Sequence, residues 1–372
     1  MHIVFVLRGY PTKADPYQPF SKELIAQIAK SGVECSVIAP QSITRAIRHR
    51  VPFRKTFWKD IISDDVSINV YQPFFVSTST KKIGFFANAR LKAATKAYKK
   101  IPGKVDAIYG HFWDMGVLAA QISRDVPVYV GCGEAYIERI LSRVSSEDLA
   151  LLNERLAGVI YVSTNAYREA CKYGLQKTGR FLIAPNGYNS EQFHSLDRNK
   201  CREELGWSTD DFIVSFVGSF DERKGVRRLL KAIEDDQDVK VALVGKGDTI
   251  PMSEQILFSG SLPHEQIVNY LNASDVFVLP TQAEGCCNAI VEAIACGLPI
   301  VSSKGDFNDD ILDNENSIRV DPNDISEIRS AIETLKTDAD YRRELADGSR
   351  EKAKFLSIGA RAERILDFMR GQ

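Results

Sequence analysis

The sequence predicts an α/β protein with two parallel sheets, each covered by helices. Three observations carry this expectation. Short β-branched runs alternate with longer amphipathic segments from one end of the chain to the other, as strands joined by helical crossovers do. In the second half these apolar runs end in Gly, Pro or Ser, as buried strands do where their loops begin. The chain has 372 residues, and at roughly 100 to 200 residues per domain two domains are the default.

Strand candidates in the first half are Ile3 to Leu7, Glu34 to Ala39, Ser67 to Gln72, Asp106 to Tyr109, Val126 to Val130, Gly158 to Val162 and Phe181 to Ala184. Helices are expected between them at Ser21 to Ser31, Lys82 to Lys100 and Asn165 to Tyr173. The series restarts after Pro185-Asn186-Gly187-Tyr188-Asn189, a stretch with turn chemistry followed by a polar run to about Asp210. The second series comprises Phe212 to Val217, Val239 to Val244, Ile256 to Phe258, Val276 to Leu279 and Ile300 to Ser302. In the last segment, Ile358, Ala362, Ile365, Leu366 and Met369 recur at helical spacing. Two sheet domains with a cleft between them are expected.

Composition removes several classes. The chain is 44% hydrophobic and 26% charged, and no apolar run approaches the roughly 20 residues that span a bilayer. The start, Met-His-Ile-Val-Phe-Val-Leu-Arg, is charged too early for a signal peptide, so a cytoplasmic location is expected. Seven cysteines without a C-x-x-C pair indicate neither a disulfide framework nor a zinc site. The net charge of −1 hides an asymmetry: residues 1–185 hold 26 Lys plus Arg against 15 Asp plus Glu, while the remainder holds 22 against 34. Much of the surplus lies from Arg45 to Lys59, where cations alternate with Phe53, Phe57 and Trp58, and from Lys81 through Phe86 to Lys104. Basic residues interleaved with aromatics suit an anionic membrane surface. A solvated helical face is the alternative, and no nucleic acid is expected as partner.

Three strand-to-loop transitions in the second half carry chemistry. Glu284-Gly-Cys-Cys-Asn-Ala-Ile-Val-Glu292 follows the run Val276 to Leu279. A loop holding Gly285 and a helix from about Cys286 to Cys296 would present free amides and the positive end of a helix dipole, a good phosphate site. Glu292 would lie about two turns along, roughly 9 Å down the axis. Carboxylates repel phosphate, so two of them beside an anion site make sense if they bind neutral hydroxyls on either side, as sugars provide. The alternative is a solvated loop residue and a surface helix position. Val217-Gly218-Ser219-Phe220-Asp221-Glu222-Arg223-Lys224-Gly225 places two cations at the sheet edge, where a leaving diphosphate would need them. The alternative there is ion pairing with Asp221 and Glu222. Val244-Gly245-Lys246-Gly247-Asp248 is the third, by itself an ordinary tight turn.

These residues resemble a known family. The second half looks like the nucleotide-sugar domain of retaining glycosyltransferases of family 4, the glycosyl transferases group 1, which have the GT-B fold of two Rossmann-like domains. Glu284 to Glu292 matches the E-x7-E motif within an EGxxNxxxEAxAxGxPI block. Gly218 to Gly225 resembles G-x-x-x-x-x-K-G, and Ser261-Leu262-Pro-His-Glu-Gln-Ile resembles the turn and helix near the base. More loosely, Tyr10-Pro-Thr-Lys with Phe20 to Gly32, Asp106-Ala-Ile-Tyr-Gly-His111-Phe, Val162-Ser163 and Pro185-Asn-Gly-Tyr-Asn also fit.

The resemblance implies an acceptor domain at 1–185, rejoined by a C-terminal helix at about 357–372, and a donor domain at 186–356. It implies that Arg223 and Lys224 hold the donor diphosphate, that Glu284 contacts the transferred sugar and Glu292 the ribose. Backbone amides of Cys286, Cys287 and Asn288 would cap the phosphate, with Gly218, Ser219, Gly245, Gly247, Ser261, Leu262 and Gly285 around the donor. The implied reaction is glycosyl transfer with retention and without a metal or cofactor, from a UDP-sugar ahead of a GDP-sugar. The acceptor would be a saccharide or a lipid-linked molecule, in surface polysaccharide, lipopolysaccharide or glycolipid synthesis. The alternative is a non-catalytic member that only binds a sugar nucleotide or scaffolds a partner.

The sequence departs from the family at three places. Ser219 stands where many members have Arg, and Arg223 can take over its charge. Asp15-Pro-Tyr-Gln-Pro-Phe20 replaces a glycine-rich loop. Gly131-Cys-Gly133-Glu134-Ala-Tyr136 stands where a His near the sugar is common, which makes Glu134 and His111 the catalytic candidates of the first half.

Overall fold

The computed structural model describes residues 1–12, 19–76, 83–123, 125–134, 137–138, 142, 144–175, 179–250 and 253–371. Asp15 to Gln18 of the expected acceptor loop, Lys81 and Lys82, and Ala135-Tyr136 lie outside them. The chain divides into two units. One comprises Met1–Val162, Ala166–Ala184 and Ala362–Gln372; the other comprises Ser163–Asn165 and Pro185–Arg361.

The first unit is built on an eight-stranded sheet. Its strands are β1 (His2–Val6), β2 (Glu34–Ile38), β4 (Phe57–Ser63), β5 (Val66–Tyr71), β7 (Ala107–His111), β8 (Val128–Cys132), β9 (Leu156–Tyr161) and β10 (Phe181–Ile183), in the order β10-β9-β8-β7-β1-β2-β5-β4. Two short strands, β3 (Gln41–Ser42) and β6 (Phe74–Phe75), pair separately. Strands β1, β7 and β8 are buried at every residue, which is why they read as unbroken apolar runs. The edge strand β4 is antiparallel to β5 and alternates exposed with half-buried residues. The sequence reading missed it, because an edge strand carries cations and aromatics on one ribbon just as a docking surface does. Trp58 faces inward, edge-on to buried Tyr10, and Arg54 donates to the Tyr10 carbonyl. Neither belongs to the basic surface.

The last helix, Ile358–Arg370, buries Ile358, Ala362, Ile365, Leu366 and Met369, the positions its periodicity marks. Its final turns pack in the first unit. A Cβ on Gly158 would lie 2.7 Å from the Phe368 ring, and the Tyr129 hydroxyl donates to the Met369 carbonyl at 3.1 Å.

The second unit holds a six-stranded parallel sheet of β11 (Phe212–Val217), β12 (Val239–Val244), β13 (Ile256–Gly260), β14 (Val276–Leu279), β15 (Ile300–Ser303) and β16 (Ser317–Val320). The spatial order is β13-β12-β11-β14-β15-β16. The order reverses between β11 and β14, and in open parallel sheets ligands bind at the carboxyl ends of the strands at that reversal. Two of the three motifs, those holding Arg223-Lys224 and Glu284, follow those two strands. Helices Val226–Ile233 and Ile325–Thr337 pack together, as do Asn288–Ala295 and Ala339–Ala353.

Candidate active site

The loop after β11 lies against the loop after β12. The Gly218 amide donates to the Val244 carbonyl at 2.9 Å, the Phe220 amide to Lys246 at 2.8 Å, and the Asp248 amide to Phe220 at 2.7 Å. Gly245 (φ +156°) and Gly247 (φ +147°) permit this approach: a Cβ would lie 1.8 Å from the Gly218 oxygen in one case and 2.6 Å from the Phe220 oxygen in the other. The close neighbour is therefore the chain itself. Gly218 is less constrained, since a Cβ there would make ordinary contacts at 3.5 Å or beyond. On the next strand, the exposed Ser261 donates its hydroxyl to Gly245 at 3.2 Å, and Leu262 packs on the core.

Arg223 and Lys224 meet Glu284 across the reversal. Glu284 Oε1 receives the Lys224 ammonium at 2.6 Å, the Arg223 guanidinium at 2.7 Å and the Thr281 hydroxyl at 2.9 Å. Its side chain is only 12% exposed. This excludes the solvated-loop reading of Glu284, and the cations do not form the expected surface pairs with Asp221 and Glu222. Glu222 pairs with Arg228 instead. Asp221 accepts the Lys224 amide at 2.9 Å and the Ser219 hydroxyl at 2.6 Å, so Ser219 shapes the loop. Burial tends to raise the Asp221 carboxyl, but those hydrogen bonds and the cations of Arg223 and Lys224 hold it below its ordinary value. Burial likewise tends to lower the Lys224 ammonium, and its interactions with Cys287 and Glu284 outweigh this and raise it. Gly225 starts the following helix at φ +81°, where a Cβ would lie 2.5 Å from the Pro280 carbonyl. That contact fixes the Lys224 loop beside β14.

The helix after β14 begins at Asn288, two residues later than expected, with Cys287 as an N-cap that makes no side-chain capping hydrogen bond. Gly285 and Cys286 are half-buried in the loop before it. Burial pushes the Cys286 thiol up to about 12 and raises that of Cys287, so neither is poised as a thiolate. Glu292 is buried, which removes the surface-helix reading, and lies 2.8 Å from His264 Nε2.

Two residues here escaped the sequence reading. Asn186, which the sequence marks only as a turn residue, donates its side-chain amide to the Cys286 carbonyl at 3.1 Å and to Asn288 Oδ1 at 2.8 Å. His264, which in the sequence belongs to a short turn, is the partner of Glu292. Both contacts join segments far apart in sequence, and no local spacing announces them.

Glu134 and His111 lie in the first unit, around a different turn. His111 ends β7, is buried, and has its ring centre 4.4 Å from that of Phe112. Glu134 Oε1 accepts the Trp113 amide at 2.9 Å, at the start of helix Trp113–Ile122, and Oε2 accepts the Gly133 amide at 3.1 Å. Burial pushes this carboxyl up to about 7, against the lowering by the amides of Trp113 and of Glu134 itself and by Arg8. A Cβ on Gly133 would make ordinary contacts, 3.4 Å from the Phe112 ring and 3.5 Å from Val162, so packing does not explain the missing His.

Two helix-covered, mainly parallel sheets, one with its charged loops gathered at the strand reversal, make up the GT-B fold. Residues 197–352 match the family model described as glycosyl transferases group 1, and this segment is a domain of that family. Over 377 residues the chain is 25% identical to TuaC of Bacillus subtilis (strain 168), a glycosyltransferase whose name assigns it to teichuronic acid biosynthesis, covering 93% of this chain and 92% of that protein. It is 22% identical to a D-inositol 3-phosphate glycosyltransferase of Acidothermus cellulolyticus, covering 88% of this chain and 79% of that protein. Among solved structures, a sucrose-phosphate synthase from Thermosynechococcus elongatus superposes with a TM-score of 0.79 at 19% identity, covering 100% of this chain and 98% of that one. Anabaena HepE in complex with UDP-glucose superposes at 0.71 and 18% identity over 100% of both chains. At these identities the solved structures show the fold.

Proposed function

We propose that this glycosyltransferase moves a sugar from a nucleoside diphosphate sugar, a UDP-sugar ahead of a GDP-sugar, to a saccharide or lipid-linked acceptor with retention at the anomeric carbon. The observation that carries the reading is the pairing of Lys224 and Arg223 with Glu284 at the strand reversal. The donor diphosphate would take over both cations, releasing Glu284 to accept a hydroxyl of the sugar. Amides of Cys286, Cys287 and Asn288 would receive phosphate oxygens, and Glu292 would take ribose hydroxyls in place of His264. The two cations supply the charge stabilisation that departure of the diphosphate requires, so the reaction needs no metal. On one face of the sugar the bond from the anomeric carbon to phosphate breaks while the bond to the acceptor oxygen forms. The acceptor proton passes to the departing phosphate, which suits a site without a strong nucleophile beside a base.

TuaC and the capsular polysaccharide biosynthesis glycosyltransferase CapM of Staphylococcus aureus are named for surface polysaccharides, which supports the same destination here. A cytoplasmic enzyme working at the inner face of the membrane fits the first unit's surface. Between Glu34 and Asp60 there is no acidic residue. Helix Ile43–His49 has no buried residue, Ile47 is 66% and Phe53 56% exposed, and Arg45, Arg48 and Arg50 are exposed beside them. Among the described residues no helix is long and apolar enough to cross a membrane, so attachment would be peripheral.

A thermal-shift panel of UDP-, GDP-, ADP- and CDP-sugars tests the donor assignment. The matching donor at 100 times its dissociation constant should stabilise the protein by about 2.7 kcal/mol. Stabilisation by none of the four, or equal stabilisation of Lys224→Ala, contradicts it.

A further inference from the structure

The first unit carries a strained turn at the carboxyl ends of β7 and β8. Phe112 sits at φ +78° and ψ 157°, a conformation that side-chain-bearing residues rarely adopt. Such strain persists only where the surroundings over-determine it. Here the surroundings can be named. The Phe112 amide donates to the Gly131 carbonyl at 2.8 Å. Glu134 accepts the next amide, Trp113, with one oxygen and that of Gly133 with the other. Arg8 lies 4.5 Å over the Phe112 ring and forks onto Asp114 at 2.8 and 3.0 Å.

We propose that Glu134 is a positioning residue, its carboxylate clamping the His111–Phe112–Trp113 turn so that the Phe112 ring and the His111 imidazole are held where the acceptor hydroxyl is presented. This deepens the proposed function and rests on the first unit being the acceptor half. Only an ionised carboxylate offers two unprotonated oxygens to two amides; a carboxamide accepts through one and turns its NH2 group toward the other donor. Protonation should therefore loosen the clamp. The groups around it are Arg8, which favours the ionised form, Asp114, which opposes it, and Cys132, Tyr161 and His111. Because burial pushes Glu134 up to about 7, loosening falls near neutral pH.

The test is Glu134→Gln in the full chain, with two readouts. Hydrogen–deuterium exchange should rise about tenfold in the peptide spanning Trp113 and the first turn of its helix. Turnover should fall about tenfold, as expected for a misplaced reacting group, with the acceptor KM raised and the donor KM unchanged. The wild-type fall in kcat on the acid side of about pH 7 should be absent from the variant. Unchanged exchange, or wild-type turnover and pH profile in a folded variant, overturns the proposal. Raised exchange in a protein whose wild type transfers no sugar supports the clamp and rejects the transferase reading, so the two failures are distinguishable. If Glu134→Gln does not fold, the pair is compared in a Phe112→Gly background, where positive φ carries no strain. A smaller loss from Glu134→Gln in that background supports the clamp, and additive losses overturn it.

Discussion

The Lys224 ammonium lies 2.6 Å from Glu284 Oε1, joining the loops after β11 and β14, the neighbouring strands between which the sheet order reverses. Each side chain is 12% exposed, so the pair is largely withdrawn from water, and neither partner can be removed without leaving a poorly solvated charge. Arg223 shares the same carboxylate oxygen. Two cations thus share one carboxylate at this edge, which leaves an excess of positive charge.

Lys224→Ala should lower kcat/KM by about 10²- to 10³-fold, the range for losing one preorganised group that stabilises developing charge. Arg223 remains on Glu284 in this variant, so circular dichroism should stay close to wild type. Steady-state kinetics with the donor identified by thermal shift checks it.

Glu292→Ala should act on binding more than on chemistry. Its carboxylate is paired with His264 rather than with the cations, so the donor KM should rise about tenfold while kcat changes by less than about threefold. An equal drop in kcat and kcat/KM would place Glu292 at the reacting centre instead.

Asn186→Ala removes the brace under the loop before helix Asn288–Ala295. Two hydrogen bonds are lost, at about 0.5 to 1.5 kcal/mol each, so the melting temperature should fall by several degrees. Donor affinity should fall with it, measured by calorimetric titration, because the Cys286 and Asn288 backbone loses its anchor.

Glu134 also gives stability a defined pH dependence. Its native value is raised from 4.5 to about 7, first by burial, so the native state holds a proton that the unfolded chain has already released. The stabilisation is fully present below about pH 4.5 and is lost as pH rises through about 7, amounting to no more than about 3 kcal/mol. The melting temperature of Glu134→Gln relative to wild type should therefore climb between pH 5 and 8. A flat difference would contradict the assignment.

The exposed surface around Ile47 and Phe53 should bind vesicles rich in anionic lipid and not neutral ones, measured by flotation. The double variant Ile47→Glu, Phe53→Glu should lose that binding without a change in melting temperature, since both side chains are more than half exposed. Equal, negligible flotation of the wild type with both vesicle types rejects the docking surface.

The sequence made the donor half legible because its chemistry is local. Glu284 and Glu292 sit on one strand–loop–helix unit, and Arg223 and Lys224 on another, so spacing marks them as candidates, while their donor roles came from the family resemblance. Buried parallel strands were equally readable as apolar runs. Contacts over long separations were not: Asn186 reaches the Cys286 loop 100 residues away, and His264 reaches Glu292 across 28. Gly245 and Gly247 could be read as a turn, but the carbonyl of Gly218 that makes glycine necessary lies on another strand's loop. Glu134 was legible as a departure from a pattern; its two amide partners required the fold.

Glycosyl transfer at the Lys224–Glu284 edge is tested most directly by the release of nucleoside diphosphate by wild type and Glu284→Ala. With the matched sugar nucleotide and acceptor, wild type should release one nucleoside diphosphate per sugar transferred, and Glu284→Ala should be slowed by at least about 10²-fold. A folded Glu284→Ala that keeps wild-type turnover would contradict the account.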